Sequence, residues 1–181
     1  IQKVIFILAV ICVSITQSWA DSWKEISFAD PTIFVENGKY YLTGTRNQEP
    51  LGFAILKSTD LKHWTVPNGK DLQLILRKGD QAFGEKGFWA PQYFKDKRTY
   101  YFTYTANEQT VIASSKSVFG PFRQKEVKPI DASAKNIDSF LFKDDDGKYY
   151  LYHVRFNKGN YLWVAEFDIK KGSIKPETLK Q

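Results

Sequence analysis

Two aspartates, Asp30 and Asp138, fall at corresponding places in a sequence that repeats itself. Two carboxylates converging on one space are the equipment for acid–base cleavage of an acetal, one group handling a water and the other governing a proton. When such cleavage inverts the attacked carbon, the acid and base stand about 6.5–9.5 Å apart, which leaves room for the water. A lone Asp beside a proline reads more simply as a turn or cap residue. It is the equivalence of Asp30 and Asp138 in the repeat that points to chemistry. Between them in the repeat lies Ala90, which offers only a methyl group.

The repeat becomes visible when FADPTIFVENGKYYLTGT, from Phe28, is set over FWAPQYFKDKRTYYFTYT, from Phe88. At a constant offset of 60, Phe28 meets Phe88, Pro31 meets Pro91, Phe34 meets Phe94 and Tyr40-Tyr41 meets Tyr100-Tyr101. A third copy, from Asp138, fits with one residue inserted in its turn, so that Phe142 matches Phe34 and Tyr149-Tyr150 matches Tyr40-Tyr41. Each copy reads as a strand, a tight turn such as Glu36-Asn37-Gly38-Lys39, and a second strand rich in Tyr, Phe, Leu and Thr. Downstream, the segments from Gly52, Thr110 and Tyr161 each read as a third strand, a polar turn and a fourth.

Four antiparallel strands recurring every 50 to 60 residues, with no helical pattern between them, describe the blades of a β-propeller. The reading is therefore all-β, a partial five-bladed propeller with about three four-stranded blades present, near residues 28–69, 88–127 and 137–178. An open meander or sandwich of twelve strands is the competing architecture. In a propeller the innermost strand of each blade lines a central channel. Equivalent positions in successive blades then converge on its mouth, which is where Asp30, Ala90 and Asp138 belong.

At this point the chain resembles glycoside hydrolase family 43. The residues that carry the resemblance are Ala29-Asp30-Pro31 followed by ENGKYYL, Trp89-Ala90-Pro91, and Ile137-Asp138-Ser139 followed by FKDDDGKYYLYHVRF, in order and at blade spacing. The resemblance covers residues 28–169 and implies a five-bladed propeller that hydrolyses arabinose- or xylose-containing plant polysaccharides with inversion. It implies that Asp30 is the general base and that Asp138 tunes and orients the general acid. The acid itself is expected as a Glu on a fourth blade, beyond residue 181, so the chain is expected to be an N-terminal portion without activity of its own. Glu166 and Glu177 fall in outer strands and are no substitutes. The family often has an acidic residue after its Trp-Ala-Pro, where Gln92 stands here. Two rival readings remain: a five-bladed hydrolase of the sucrose or fructan type, and a sugar-binding propeller without catalysis.

Three further residues are candidates for holding substrate. Trp89 brings an aromatic face able to stack on a sugar or to fill a core. Gln92 follows it, and Arg155 near the end of a second strand reaches either the channel or the blade edge. His63 and His153 have no metal-ligand spacing, and Asp144-Asp145-Asp146-Gly147 lacks the later Glu of a calcium loop, so neither metal nor cofactor is expected. Gly79, Gly84 and Gly87 form a connection between blades and do not follow a strand as a phosphate loop would.

The net charge is +6, with Lys and Arg interspersed among Asp and Glu. That argues against a nucleic-acid surface and leaves carbohydrate as the expected partner. Residues 1–20 read as a secretory signal: Lys3, an apolar run from Val4 to Val13, and a cut after Ala20. The run is shorter than the ~20 residues needed to span a bilayer, and Ile11 before Cys12 is too bulky for a good lipoprotein site. Residues 21–181 are then an incomplete catalytic domain that is secreted or periplasmic. Cys12 is the only cysteine, so a packed core rather than disulfides must hold that domain.

Overall fold

A computed structural model describes residues 26–69 and 71–181; the expected signal lies outside these residues. The described chain is nearly all β, arranged as three antiparallel meanders. The first contains β1 (Ala29–Glu36), β2 (Lys39–Thr45), β3 (Gly52–Ser58) and β4 (Gln73–Arg77), hydrogen-bonded in that order. The second contains β5 (Trp89–Asp96), β6 (Thr99–Ala106) and β7 (Gln109–Ser115), with Arg123 bridging to Ser114 in the place of a fourth strand. The third contains β8 (Asn136–Lys143), β9 (Tyr149–Phe156), β10 (Asn160–Asp168) and the short β11 (Ser173–Ile174). These are three blades of a partial propeller. No helix among the described residues is long and apolar enough to cross a membrane.

One element differs from the sequence expectation. The outer strand of the first blade is not the segment ending near residue 69, where Thr65 makes a single bridge with Lys57. It is β4, which pairs with the other half of β3. From there it reaches the second blade: Phe122 N donates to the Ile75 carbonyl at 2.7 Å, and Gln73 Nε2 to the Phe119 carbonyl at 3.2 Å.

Period-two alternation decides which blade each side chain meets. Phe34 stacks on Tyr93 of the next blade, with ring centroids 5.4 Å apart and planes at 28°. Behind this pair lies the largest apolar core, built on Phe53, Ile55, Ile75, Phe88, Phe102 and Phe122. Phe94, the repeat equivalent of Phe34, packs in the same way into the core between the second and third blades, beside Leu141 and Leu151. A polar latch recurs at the far end of these strands. Glu36 takes Lys95 and Tyr100 of the next blade, and Asp96 takes Lys143 at 2.9 Å together with Tyr149. Each lysine also lies over its tyrosine ring, at 4.9 Å and 5.2 Å. Burial would raise the pKa of Glu36, but the bonds from Lys95 and Tyr100 outweigh it and the net direction is down.

Two stability predictions follow from this packing. Phe102 is fully buried, and Phe102→Ala is expected to cost about 3–5 kcal/mol in denaturant unfolding. Val127 is more than half exposed, and Val127→Ala should change stability by less than about 0.5 kcal/mol. A pH prediction concerns His153, fully buried in the third blade, whose pKa is lowered by desolvation and then by the charge of Arg155. A folded-state pKa below the unfolded value means that the unfolded chain takes up the proton first, so this contribution is present above about pH 6.5 and lost as pH falls. Urea unfolding between about pH 7.5 and 5 should show this slope, and His153→Leu should flatten it.

Candidate active site

The innermost strand of every blade begins with the same irregularity. Between Ala29 and Thr32 the register of β1 against β2 shifts, so that Asp30 and Pro31 together face Gly44. The same happens between Trp89 and Gln92, where Ala90 and Pro91 face Tyr104, and between Ile137 and Phe140, where Asp138 and Ser139 face His153. These are β-bulges, which bend a strand and re-aim a side chain, and which accept the prolines because an unpaired residue needs no ladder N–H. The first bulge residue has a left-handed backbone in all three: φ is 46° at Asp30, 44° at Ala90 and 54° at Asp138. Gly44 is required by the closeness of the chain around the first bulge. A Cβ there would sit 2.6 Å from Phe28 Cβ and 2.7 Å from the Ala29 carbonyl oxygen.

Hydroxyl groups fasten the bulges to one another across the blade junctions. Thr45, paired with Ala29, donates from Oγ1 to Asp30 Oδ2 at 2.7 Å and accepts Ala90 N–H at 2.8 Å. Thr105, paired with Trp89, accepts Asp138 N–H at 3.1 Å. The pKa of Asp138 is raised, first by desolvation and second by the negative charge of Asp30. Asp30 and Asp138 are therefore electrostatic neighbours although 108 residues separate them in sequence. A site in which one carboxylate biases its neighbour toward the protonated form is suited to proton handling.

The other candidates divide. Trp89 immediately precedes the second bulge with 37% of its surface exposed, and its indole ring lies against Gly87. Gln92 commits its side chain to the third blade: Oε1 accepts Leu141 N–H at 2.8 Å and Nε2 donates to the Leu141 carbonyl at 3.2 Å. Arg155 is tucked against its own blade. Its Nη2 donates to Ser133 Oγ at 2.9 Å and lies 3.4 Å from Asp131, while the guanidinium covers the Trp163 ring at 5.2 Å. Thr45 and Thr105 went unremarked in the sequence, where threonine in a strand reads as an ordinary β-former. The signal for them was the offset of 60, which places both opposite the residue before a bulge. Among the described residues no group of three or more His, Cys, Asp or Glu is arranged to hold a metal ion.

Comparison with known proteins supplies the lineage. Residues 24–181 match the model for glycosyl hydrolases family 43. The chain is 29% identical over 159 residues to an extracellular endo-α-(1→5)-L-arabinanase of Bacillus subtilis, covering 81% of this chain and 48% of that protein. It is 24% identical over 163 residues to a xylosidase/arabinosidase of Humicola insolens, covering 80% of this chain and 29% of that protein. Among solved structures, an endo-1,4-β-xylanase of Bacteroides thetaiotaomicron superposes with a TM-score of 0.77 at 41% identity, over 85% of this chain and 52% of that one. An endo-arabinase of the same organism gives 0.73 at 24% identity, over 88% and 57%, and shares the fold. The chain thus spans about half the length of the arabinanase and less of the xylosidase/arabinosidase. With three bladed repeats, a carboxylate at the first and third bulges and a family match over nearly its whole length, the chain belongs to glycosyl hydrolases family 43.

Proposed function

We propose that residues 26–181 carry the base and the orienting carboxylate of an inverting glycosidase that acts on arabinose- or xylose-containing polysaccharides outside the cell. The observation that carries this reading is the electrostatic pairing of Asp30 and Asp138 at equivalent left-handed bulges. Asp30 takes the proton of a water that attacks the anomeric carbon, while the bond to the leaving oxygen breaks on the opposite face. Asp138, with its raised pKa, orients and tunes the group that protonates that oxygen. Trp89 supplies a stacking surface for the sugar. The pentose substrates are suggested by the names of the arabinanase and xylosidase relatives.

The proton donor is assigned to a further carboxyl on a later blade. Glu166 is unsuited to the task. Hydrogen bonds from Lys175 and Lys148, at 2.8 Å and 3.3 Å, lower its pKa and keep it ionised. Residues 1–181 alone are accordingly expected to release no pentose from unactivated glycosides.

In the full-length enzyme, Asp30→Asn should lower kcat by about 10²–10⁴-fold with KM little changed, because a base acts in the transition state and adds no ground-state binding. Release of arabinose and xylose from nitrophenyl glycosides and polymers measures this, and a variant keeping most of the wild-type rate refutes the assignment. Asp138→Asn should slow turnover and displace the pH–rate profile. Proton NMR of the first-formed sugar should show the inverted anomer; retention would favour a fructan-type mechanism instead.

A further inference from the structure

Thr45 is buried, 4% exposed, at the seam between the first two blades, and its hydroxyl touches a group from each. A threonine hydroxyl has one proton and two lone pairs. The Ala90 N–H is a donor only, so it occupies a lone pair of Oγ1 at 2.8 Å. The proton then has one acceptor in place, Asp30 Oδ2 at 2.7 Å. The direction of both bonds is fixed by the chemistry of the partners, and the burial of Thr45 hinders water from replacing either. Asp30 is itself exposed, and among the described residues its Oδ1 takes no hydrogen bond. One carboxylate oxygen is thus anchored and the other is left for solvent.

The second junction serves as an internal comparison. Thr105 accepts the Asp138 N–H in the same way, but the bulge of its own blade carries Ala90, so its proton has no carboxylate to meet. Anchoring the next blade's bulge is common to both threonines; holding an aspartate side chain belongs to Thr45 alone. We propose that Thr45 is the positioning residue of the base, its hydroxyl fixing the Asp30 side-chain rotamer through Oδ2 so that Oδ1 faces the attacking water. The proposal rests on the reading of Asp30 as base.

The test uses the 181-residue chain, isotope-labelled, with three-bond couplings to Asp30 Cγ reporting its χ1 populations. Wild type should show one dominant rotamer, Thr45→Ser should keep it, and Thr45→Val should show averaging. Thr105→Val breaks a matching seam bond without touching Asp30 and should leave the Asp30 couplings unchanged. Averaging in Thr105→Val as severe as in Thr45→Val, or a single rotamer in Thr45→Val, overturns the proposal. Should Thr45→Val fail to fold, Thr45→Ser decides: a folded serine variant with an averaged Asp30 rotamer overturns it equally. In the full-length enzyme, Thr45→Val should lower kcat about 10- to 100-fold with KM nearly constant, the range expected when a hydrogen bond to a charged group is lost, and Thr45→Ser should rescue it. If Asp30→Asn retains its rate, the reading of the base fails, while the couplings still decide whether Thr45 holds Asp30.

Discussion

The axial end of this molecule depends on a backbone conformation that residues with side chains rarely adopt. Asp30, Ala90 and Asp138 each sit at positive φ inside a bulge, at a cost on the order of 1–3 kcal/mol apiece where the residue is not glycine. Asp tolerates the left-handed region better than most. Ala90 has no such excuse, since its methyl cannot make a local hydrogen bond. That alanine adopts the same φ as the aspartates shows that packing and register impose the geometry. The side chains are passengers on a backbone shape that belongs to the blade.

What holds that shape is the repeated junction between blades. At the centre, an aromatic of one blade enters the next, Phe34 against Tyr93 and Phe94 beside Leu141. Near the hairpin turns, an acid of one blade takes a lysine and a tyrosine of the next. At the axis a threonine hydroxyl receives a bulge amide. Apolar burial supplies most of the stabilisation, because each fully buried aromatic or aliphatic side chain contributes about 1.5–3 kcal/mol. The latches, whose lysines reach solvent, contribute little singly and serve to fix register. The outward faces of the first and third blades show the same pattern without a partner: Ile33 and Val35 on one, Phe140, Phe142, Phe156 and Leu162 on the other, all exposed among the described residues.

Much of this was legible in the sequence because the repeat writes one blade several times. The offset of 60 identifies Phe34 with Phe94, and the third copy of the repeat sets Asp138 at the place of Asp30. The bulges were hidden, because neither Asp nor Ala announces a positive φ as glycine does. The position of β4 was hidden by the loop after Val66, whose Pro67 and Gly69 suggest a blade boundary where the chain only turns back to the other half of β3. Gln92 as a substrate candidate, and Arg155 as reaching either the channel or the blade edge, stay undecided in the sequence because long polar side chains cannot be assigned partners from it. The Leu141 backbone and the Ser133–Asp131 pair come from segments many residues away.

Thr45 also has a mechanical consequence. Its hydroxyl rivets two blades at the hub, one bond reaching a carboxylate and the other an amide, while the rim of the same seam is held by β4 and the loop through Phe122. The seam between these two sheets is thus pinned at both ends, by a side-chain hydroxyl at the hub and by backbone and amide bonds at the rim. The third blade carries Val154 at the position of Thr45 and Thr105, paired with Ile137 as they are with Ala29 and Trp89. A valine has no hydroxyl, so the third blade carries no rivet of this kind at its hub.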